Sequence, residues 1–240
     1  MNDSPLMREF VGIDLGREPA PDETTVCKFL HLLEEHKIGA AMLATVNEHL
    51  QNRGVRIATG TIVDATIIHA PSSTKNQKQE RDPEMHQTKK GKQWYFGMKA
   101  HVGVDSKTKL IHSAVATAAN IADSMVLPEL LHGQETKVWG DQAYRGQREA
   151  IHEAAPRAQD LTSKGYRYKD RIDEEERERN RTKSRVRSRV EHVFQIMKLK
   201  FGFVKVRYRG LCKNANRLFA SCALVNLFTA RWTLLRREFA

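Results

Sequence analysis

Acidic residues are almost absent from the last quarter of the chain. Between positions 179 and 237, Glu191 is the only Asp or Glu, whereas the same stretch carries 16 Lys or Arg residues. The whole chain of 240 residues has a formal net charge of +11. Concentrated positive charge is typical of proteins that bind polyanions, most often nucleic acid. A basic protein without such a partner and a membrane-surface binder are the alternatives, but neither explains why the charge is concentrated.

Cysteines and long apolar runs are also scarce. The three cysteines are Cys27, Cys212 and Cys222, and no C-x-x-C or C-x-x-x-H spacing is present. This usage fits reduced thiols in a cytoplasmic protein, and the N-terminus lacks the apolar segment of a signal peptide. The most apolar run, residues 218–232, contains Asn226 and Arg231 and is shorter than the roughly 20 apolar residues of a membrane span. We therefore predict a buried core helix there and no membrane partner.

Several catalytic motifs are missing. The chain has no G-x-S-x-G nucleophile elbow, no G-x-x-x-x-G-K-[ST] phosphate loop and no H-E-x-x-H helix. None of the ten histidines pairs with another at i, i+4 on a predicted helix, which argues against a zinc site. The carboxylates are therefore the more informative candidates for chemistry.

Secondary-structure patterns divide the chain near residue 58. Residues 1–58 are predicted to be helical, and residues 59–237 mix strands with helices. The predicted strands are 60–68, 94–105, 109–120 and 136–141. The predicted helices of this region are 121–132, part of 142–155, 184–201 and 213–237, with a long loop at 69–93 and a charged surface excursion at 157–184. This order predicts an α/β domain with a mixed sheet, preceded by a small helical region.

Three carboxylates stand out in this pattern. Asp64 lies within the apolar strand 60–68, where a charge is costly unless it is paired or binds a metal. Asp141 ends a strand, and ligands of open α/β sheets bind at the carboxyl ends of strands. Glu191 is the lone acid of the basic region.

Each of the three also has a simpler interpretation. Asp64 could face outward on an edge strand, and Asp141 could cap the following turn. Glu191 could form an i, i−4 ion pair with Arg187, but such a pair contributes only about 0.3–0.5 kcal/mol. That pair would not explain why every other acid is missing nearby.

Other acids are weaker candidates. Asp105 lies at a predicted hairpin turn, where Asp is frequent, and Asp14 lies outside the α/β domain. Three separated carboxylates without a histidine ligand suit Mg²⁺ or Mn²⁺, which prefer oxygen ligands. Two such ions can activate a nucleophile and stabilise the leaving oxygen of a phosphodiester. A basic surface would then hold the polyanionic substrate.

Four longer segments carry a resemblance to a known family. They are VDATIIHAPSSTKN (63–76), RDPEMHQTKKGKQWYFGMKAHVGVD (81–105), GDQAYRG (140–146) and RVEHVFQIMKLKFGFVKVRYRGLCKN (189–214). They resemble the transposases of bacterial insertion sequences, in the insertion-sequence-five group of the DDE superfamily. The match runs from about residue 21 to residue 227.

The resemblance implies a fold, a site and partners. The fold would be RNase H-like, with a mixed five-stranded sheet flanked by helices. Asp64, Asp141 and Glu191 would form the catalytic triad and bind Mg²⁺ or Mn²⁺, as two ions. The partners would be insertion-sequence end DNA and target DNA, and the protein would act as a dimer on DNA.

A motif of the related insertion-sequence-four group places Tyr, Arg, Glu and Lys at fixed spacing. Arg187, Glu191 and Lys198 match it, and Ser184 occupies the Tyr position. At 3.6 residues per turn the three matching residues share one helix face, so Arg187 and Lys198 would contact DNA phosphates beside the metal site. Further phosphate contacts are predicted at Lys205, Arg207, Arg209 and Lys213, in the segment after the Glu191 helix.

Two regions have less specific interpretations. The cluster of Lys89, Lys90 and Lys92 is predicted to be a solvated loop. The aromatic residues 94–96 beside it are predicted to lie half in the core and half at the surface, rather than to stack on bases. Family members usually carry a longer N-terminal helical region, so residues 1–58 are interpreted as a truncated DNA-end recognition region. The leading prediction is a transposase, and the alternatives are an inactive DNA-binding remnant, an inhibitor of full-length transposase and, more weakly, an RNase H-type nuclease.

Overall fold

The computed structural model describes residues 5–238, except residues 13, 15, 18 and 168–170. The chain forms two compact units, Met1–Ile38 and Gly39–Ala240. In the first unit, helix α1 spans Pro5–Val11 and helix α2 spans Glu23–Glu35. The Asp22 carboxylate accepts a hydrogen bond from the Thr25 backbone N (2.7 Å) and so caps the start of α2. The functional division predicted after residue 58 stays a prediction.

The remaining described residues form one helix, four successive strands, then helices and further strands in turn, and finally three successive helices. The strands are β1 (Gly60–His69), β2 (His86–Lys90), β3 (Gln93–Asp105), β4 (Ile111–Ala118), β5 (Lys137–Trp139) and β6 (Gln159–Asp160). The helices are α3 (Ile38–Asn52), α4 (Asp123–Val126), α5 (Arg148–Ala154), α6 (Glu174–Arg187), α7 (Arg189–Leu199) and α8 (Leu211–Glu238). Short 3-10 turns, Leu127–Leu130 and Gln142–Tyr144, follow α4 and β5.

The strands form one mixed sheet with β1 inside it. β1 pairs antiparallel with β3 on one side and parallel with β5 on the other. β2 and β4 both pair antiparallel with β3, and β6 pairs parallel with β5. Asp64 therefore lies on an interior strand, which contradicts the edge-strand interpretation of that residue.

The described sheet has six strands rather than the predicted five. β2 lies in the segment predicted as a long loop, and β6 lies in the predicted surface excursion. Neither segment shows the apolar alternation that identifies a strand, because four of the five β2 residues are exposed and β6 is only two residues long. Both strands form by backbone pairing with a neighbour that is already in the sheet.

Helices cover both faces of the sheet because alternate residues of β1 point in opposite directions. Ile62 packs into a cluster with α7 and α8, which contribute Val193 and Leu218 among others. The next residue, Val63, packs into a second cluster that contains Tyr144 and Ile151. The predicted α/β fold with a mixed sheet flanked by helices is confirmed.

The predicted helix 184–201 is divided at Ser188. Helix α6 ends at Arg187 and α7 begins at Arg189, but Ser188 keeps right-handed helical dihedrals (φ −56°, ψ −16°). The side-chain spacing of a helix therefore carries across the junction with little change.

Helix α8 is long and apolar enough, over Leu211–Arg236, to cross a membrane by length and composition. In the structure, Leu218, Cys222 and Val225 of this helix are buried in the core with the sheet and α7. The sequence prediction of a core helix at 218–232 is therefore confirmed.

The buried side chain of Asn226 fastens α8 to β4. It accepts a hydrogen bond from the Ile111 backbone N (2.8 Å) and donates to the Ile111 O (2.8 Å) and to Asn47 Oδ1 (2.7 Å). We expect Asn226→Ala to lower the free energy of unfolding by about 2–4 kcal/mol, because it leaves buried partners unsatisfied. Urea unfolding measures this loss. The exposed Asn52→Ala should change stability by less than about 0.5 kcal/mol, and a similar small effect for Asn226→Ala would contradict the assignment.

Candidate active site

Three sequence-predicted carboxylates line a single cleft of about 580 Å³. Asp64 comes from β1, Asp141 from the segment after β5, and Glu191 from the first turn of α7. Arg187 and Lys198 line the same cleft. The structure therefore brings together five of the predicted site residues, from β1, the segment after β5 and the consecutive helices α6 and α7.

The pairing of β1 with β5 explains how the two aspartates meet. The parallel register ends with Ile62 opposite Trp139, and its continuation by two residues brings Asp64 level with Asp141. Gly140 permits this close approach, because a Cβ atom there would lie 3.1 Å from both Val63 Cγ2 and Tyr144 Cβ. The parallel pairing thus presents both carboxylates to the cleft at the carboxyl end of β5.

Asp141 also performs the capping role that the sequence suggested as an alternative. Its Oδ1 accepts a hydrogen bond from the Ala143 backbone N (2.8 Å) at the start of the 3-10 turn. This contact occupies one carboxylate oxygen, and Asp141 still lines the cleft. Capping and ligand binding are therefore compatible at this position.

Helix α7 places Glu191 and Lys198 over β1. The Lys198 ammonium donates a hydrogen bond to Thr66 Oγ1 (2.6 Å), which ties the helix to the strand that carries Asp64. Burial, with a smaller contribution from Lys90, lowers the pKa of Lys198. The cation is thus partly withdrawn from water at the wall of the cleft.

Asp64 has an unusually basic carboxylate. Burial is the main cause that raises its pKa to about 6, and the Asp141 and Asp123 carboxylates act in the same direction. A hydrogen bond from the Ala65 backbone N (2.8 Å) and the Arg187 guanidinium oppose this rise. Clustered carboxylates with too little compensating charge are what a divalent cation would neutralise.

Arg187 is directed at Asp64 rather than at Glu191. Its Nη1 lies 3.8 Å from Asp64 Oδ2, and its buried Nε has no hydrogen-bond partner. Among the residues that the structure describes, Glu191 forms no ion pair, and it is exposed to solvent. The interpretation of Glu191 as an i, i−4 partner of Arg187 is therefore wrong for this structure.

A fourth carboxylate, Asp123, lines the cleft and was not predicted as a site residue. Its Oδ1 accepts a hydrogen bond from Lys99 Nζ (2.8 Å) and lies 3.9 Å from the buried His101 Nδ1. Burial lowers the pKa of His101 to about 4. No local sequence pattern indicates Asp123 as a site residue, because the pairing of β3 with β4 that brings it to Lys99 is a long-range contact.

The segment predicted as a solvated loop is a hairpin at the cleft. Strand β2 turns into β3 at Gly91 (φ +62°), and Lys89 and Lys90 line the cleft. Trp94 is 63% exposed, with Lys89 Nζ 5.7 Å from its ring centroid. The prediction that residues 94–96 lie half in the core and half at the surface is confirmed for the half-buried Tyr95 and Phe96 and is wrong for the exposed Trp94.

Other predicted residues lie away from the cleft. Arg207 and Arg209 line a separate cavity of about 230 Å³, and Lys205 is exposed beside the His69 backbone. Lys213 is half-buried at the start of α8. Ser184, at the position of the family Tyr, lines a further cavity on α6. The DNA-binding roles of these four cations stay predictions.

The acids ranked lower by sequence do not line the cleft. Asp105 is buried and accepts hydrogen bonds from the backbone N atoms of Ala58, Lys107 and Thr108, as expected of a turn residue. Asp14 lies in the first compact unit and accepts a hydrogen bond from the Gly16 N. The lower rank of Asp105 follows from its use in the turn.

The donor atoms of the cleft suit a hard cation. Asp64, Asp141 and Glu191 offer only oxygen ligands, which is the set that Mg²⁺ and Mn²⁺ prefer. Burial is the main cause that raises the pKa of Asp64, with smaller contributions from the Asp141 and Asp123 carboxylates, and a bound cation would oppose all of these effects. The side chains present therefore fit a divalent metal.

Comparison with known proteins agrees with this chemistry. A family model described as a transposase DDE domain matches residues 56–227, more than two thirds of the chain. The matched region contains the three cleft carboxylates and both cations, Arg187 and Lys198. No solved structure matches the chain significantly. The chain belongs to the DDE transposase family.

Proposed function

We propose that this protein cleaves and joins DNA at the ends of a bacterial insertion sequence, as a transposase of the insertion-sequence-five group. The observation that carries the proposal is the convergence of Asp64, Asp141 and Glu191 in one cleft with Arg187 and Lys198. Membership of the DDE transposase family supports DNA as the substrate. The cations of the cleft supply the charge that a phosphate backbone requires.

We further propose that the α/β region has an RNase H-like topology. Strands β1, β3 and β4 form an antiparallel meander, and β5 and β6 continue the sheet in parallel on the other side of β1. β2 extends the sheet beside the cleft. Catalytic acids on β1, after β5 and on a later helix suit this topology, because all three line the same cleft.

Each cleft residue has a distinct task in the proposed reaction. Asp64, Asp141 and Glu191 would hold two Mg²⁺ or Mn²⁺ ions, which when bound polarise the phosphodiester and lower the pKa of a water nucleophile. Arg187 lines the cleft, and its guanidinium would donate hydrogen bonds to a phosphate oxygen. Lys198, held by Thr66, would compensate a second phosphate charge.

The proposed reaction consists of two successive displacements at phosphorus. A water oxygen attacks the phosphorus at the element end, the bond from phosphorus to the 3′ oxygen breaks, and a 3′-OH and a 5′-phosphate result. The freed 3′ oxygen then loses its proton and attacks a phosphorus of target DNA, which releases a new 3′-OH there. In-line geometry for both steps requires the DNA to run across the cleft.

A cleavage and joining assay tests this function. The purified chain is incubated with DNA that flanks its gene and with a supercoiled target, in Mg²⁺, Mn²⁺ or chelator. We expect strand-specific 3′-OH ends and joined products only with a divalent ion. Stable DNA binding without cleavage in either metal would favour a non-catalytic DNA-binding role instead, and cleavage confined to RNA–DNA hybrids would favour a nuclease.

The β2–β3 hairpin is proposed to guide DNA into the cleft. We expect Lys89→Ala/Lys90→Ala to weaken DNA binding at all sequences and to reduce the slope of log K against log salt by about 1.8, if each lysine neutralises one phosphate. Fluorescence anisotropy over a salt series measures both effects. The matched variant Lys75→Ala/Lys78→Ala removes two exposed lysines that do not line the cleft and should leave the slope unchanged.

Equal slopes for the two double variants would contradict the guiding role of the hairpin.

Three further properties belong to the proposal. The protein would act in the cytoplasm, it would bind DNA as a dimer, and residues 1–58 would have a DNA-end recognition role. Mass measurement of the complex with element-end DNA tests the dimer, and one protein per DNA end without pairing of ends would count against it.

A further inference from the structure

A second group of metal-type ligands lies outside the cleft. His112 of β4 meets His132 and Glu135, which belong to the segment that enters β5. One ligand atom from each residue can be chosen so that all three lie within 4.8 Å of one another. His112 and His132 also line a cavity of about 570 Å³ that shares no residue with the catalytic cleft.

Glu135 is a fully buried carboxylate without a Lys or Arg partner among the described residues. Its Oε1 accepts hydrogen bonds from the His132 backbone N (2.7 Å) and Thr61 Oγ1 (3.1 Å), and its Oε2 accepts from the Gly133 N (2.8 Å). These contacts hold the carboxylate in place, but they do not compensate its charge. A buried charge of this kind is costly unless a cation pairs with it.

Both imidazoles are directed at this carboxylate. His132 Nε2 lies 3.4 Å from Glu135 Oε1. Since a carboxylate only accepts, the Thr61 hydroxyl donates to Glu135, and His112 Nε2, 3.1 Å from Thr61 Oγ1, must donate to that hydroxyl. The Nε2–H groups of both rings therefore converge on Glu135, one of them through Thr61.

A metal ion could replace these two protons. The Ser113 hydroxyl, 2.9 Å from His112 Nδ1, can accept a proton from that atom and so orient Nε2 as a ligand. To bind a metal through Nε2, His132 would have to carry its proton on Nδ1 instead. This shift would break the weak hydrogen bond that Nδ1 accepts from the Gln134 backbone N (3.2 Å).

We propose that His112, His132 and Glu135 bind Zn²⁺, with water in the fourth position. Two imidazoles, one carboxylate and water form a tetrahedral zinc set, unlike the oxygen-only set of the cleft. At zinc–ligand distances of about 2.1 Å, tetrahedral ligand atoms lie roughly 3.4 Å apart, which is already the His132–Glu135 separation. The other distances between ligand atoms are at most 4.8 Å, so metal binding would shorten them by at most about 1.4 Å. The His132 side chain, which is 24% exposed, can move by that amount.

The ion would join β4 to the start of β5. Glu135 stands two residues before β5, and Asp141 stands two residues after it, so zinc would restrain the strand that delivers a cleft carboxylate. Arg56 also lines the cavity, but it is exposed and its charge is screened by solvent. The zinc proposal does not rest on the proposed DNA chemistry.

Zinc binding is measured on the full chain after removal of metals by a chelator. The reference protein and every variant also carry Asp64→Asn and Asp141→Asn, so that the cleft carboxylates contribute little to the measured metal binding. This double variant is called the background. We expect one equivalent of Zn²⁺ by calorimetry, a rise in Tm, and the visible absorption of tetrahedral Co²⁺ when Co²⁺ replaces Zn²⁺. His132→Ala removes a partly exposed ligand and should weaken Zn²⁺ binding by more than about 100-fold, since even second-shell losses cost 10–100-fold.

His152→Ala, at an exposed position on α5, is the control and should bind Zn²⁺ as the background does. Absence of a one-equivalent Zn²⁺ site, or an unchanged Co²⁺ spectrum in His132→Ala, would overturn the zinc site. Neither result bears on DNA cleavage in Mg²⁺, which is measured separately on the wild-type chain.

Discussion

Asp141→Asn is expected to reduce DNA cleavage at least about 1,000-fold, which corresponds to about 4 kcal/mol of transition-state stabilisation. Loss of a single oxyanion-hole donor already costs 100- to 1,000-fold in other enzymes, and removal of a charged metal ligand should cost no less. The amide oxygen of Asn can still accept the capping bond from the Ala143 N. The fold and the DNA affinity should therefore survive, and single-turnover cleavage with parallel anisotropy separates the two quantities.

Asp160 offers a closely matched control for this variant. It ends β6 and accepts a hydrogen bond from the Thr162 N (2.8 Å), two residues later, just as Asp141 does from Ala143. Asp160 does not line the cleft. Asp160→Asn should cleave DNA at the wild-type rate, and equal losses in the two variants would indicate a general structural effect rather than catalysis.

Asp64→Asn should stabilise the metal-free protein by about 2–3 kcal/mol at pH 7–8. A carboxyl whose pKa rises from 3.8 to about 6 on folding binds its proton more tightly in the folded state. A shift of one pKa unit corresponds to about 1.36 kcal/mol. The raised pKa therefore lowers the free energy of unfolding by about 2–3 kcal/mol once Asp64 is ionised in the folded state, above about pH 6. The side chain is only 18% exposed, so solvent screening reduces the effect only in part.

The sign of the pH dependence follows from the same linkage. Between about pH 4 and pH 6 the folded state holds more protons than the unfolded state, so the unfolding free energy of wild type should fall as pH rises. Asp64→Asn should lose most of that slope. Urea unfolding in chelator at several pH values measures it, and Mg²⁺ should then stabilise wild type more than the variant. A variant less stable than wild type at pH 8 would contradict the electrostatic account.

The sequence was sufficient where local patterns decide the structure. The apolar texture around Asp64 predicted its strand, and the strand–turn pattern around Asp141 predicted its position at a carboxyl end. The periodic apolar residues of α7 predicted the helix that carries Glu191. Their meeting in one cleft follows from the parallel pairing of β1 with β5, and the family resemblance implied it before the structure did.

The sequence was insufficient where long-range pairing decides. Strand β2 is polar on both faces and forms because β3 extends far enough to pair with it. The sequence therefore did not predict that the cations of this hairpin line the cleft. Asp123 enters the cleft through Lys99, which is 24 residues away. His112 and His132 come from separate elements and have no motif spacing. None of these contacts leaves a periodic signal in the chain.

Glu191→Gln most directly tests the central claim that the three cleft carboxylates bind the catalytic metals. Of the three, Glu191 has the smallest role in stabilising the fold. It is exposed and, within the described part of the chain, has no ion pair to lose, so stability should change by less than about 0.5 kcal/mol. If the three carboxylates bind the catalytic metals, cleavage of element-end DNA in Mg²⁺ should fall at least about 1,000-fold with DNA affinity retained. Cleavage within tenfold of wild type in the folded variant would contradict the account.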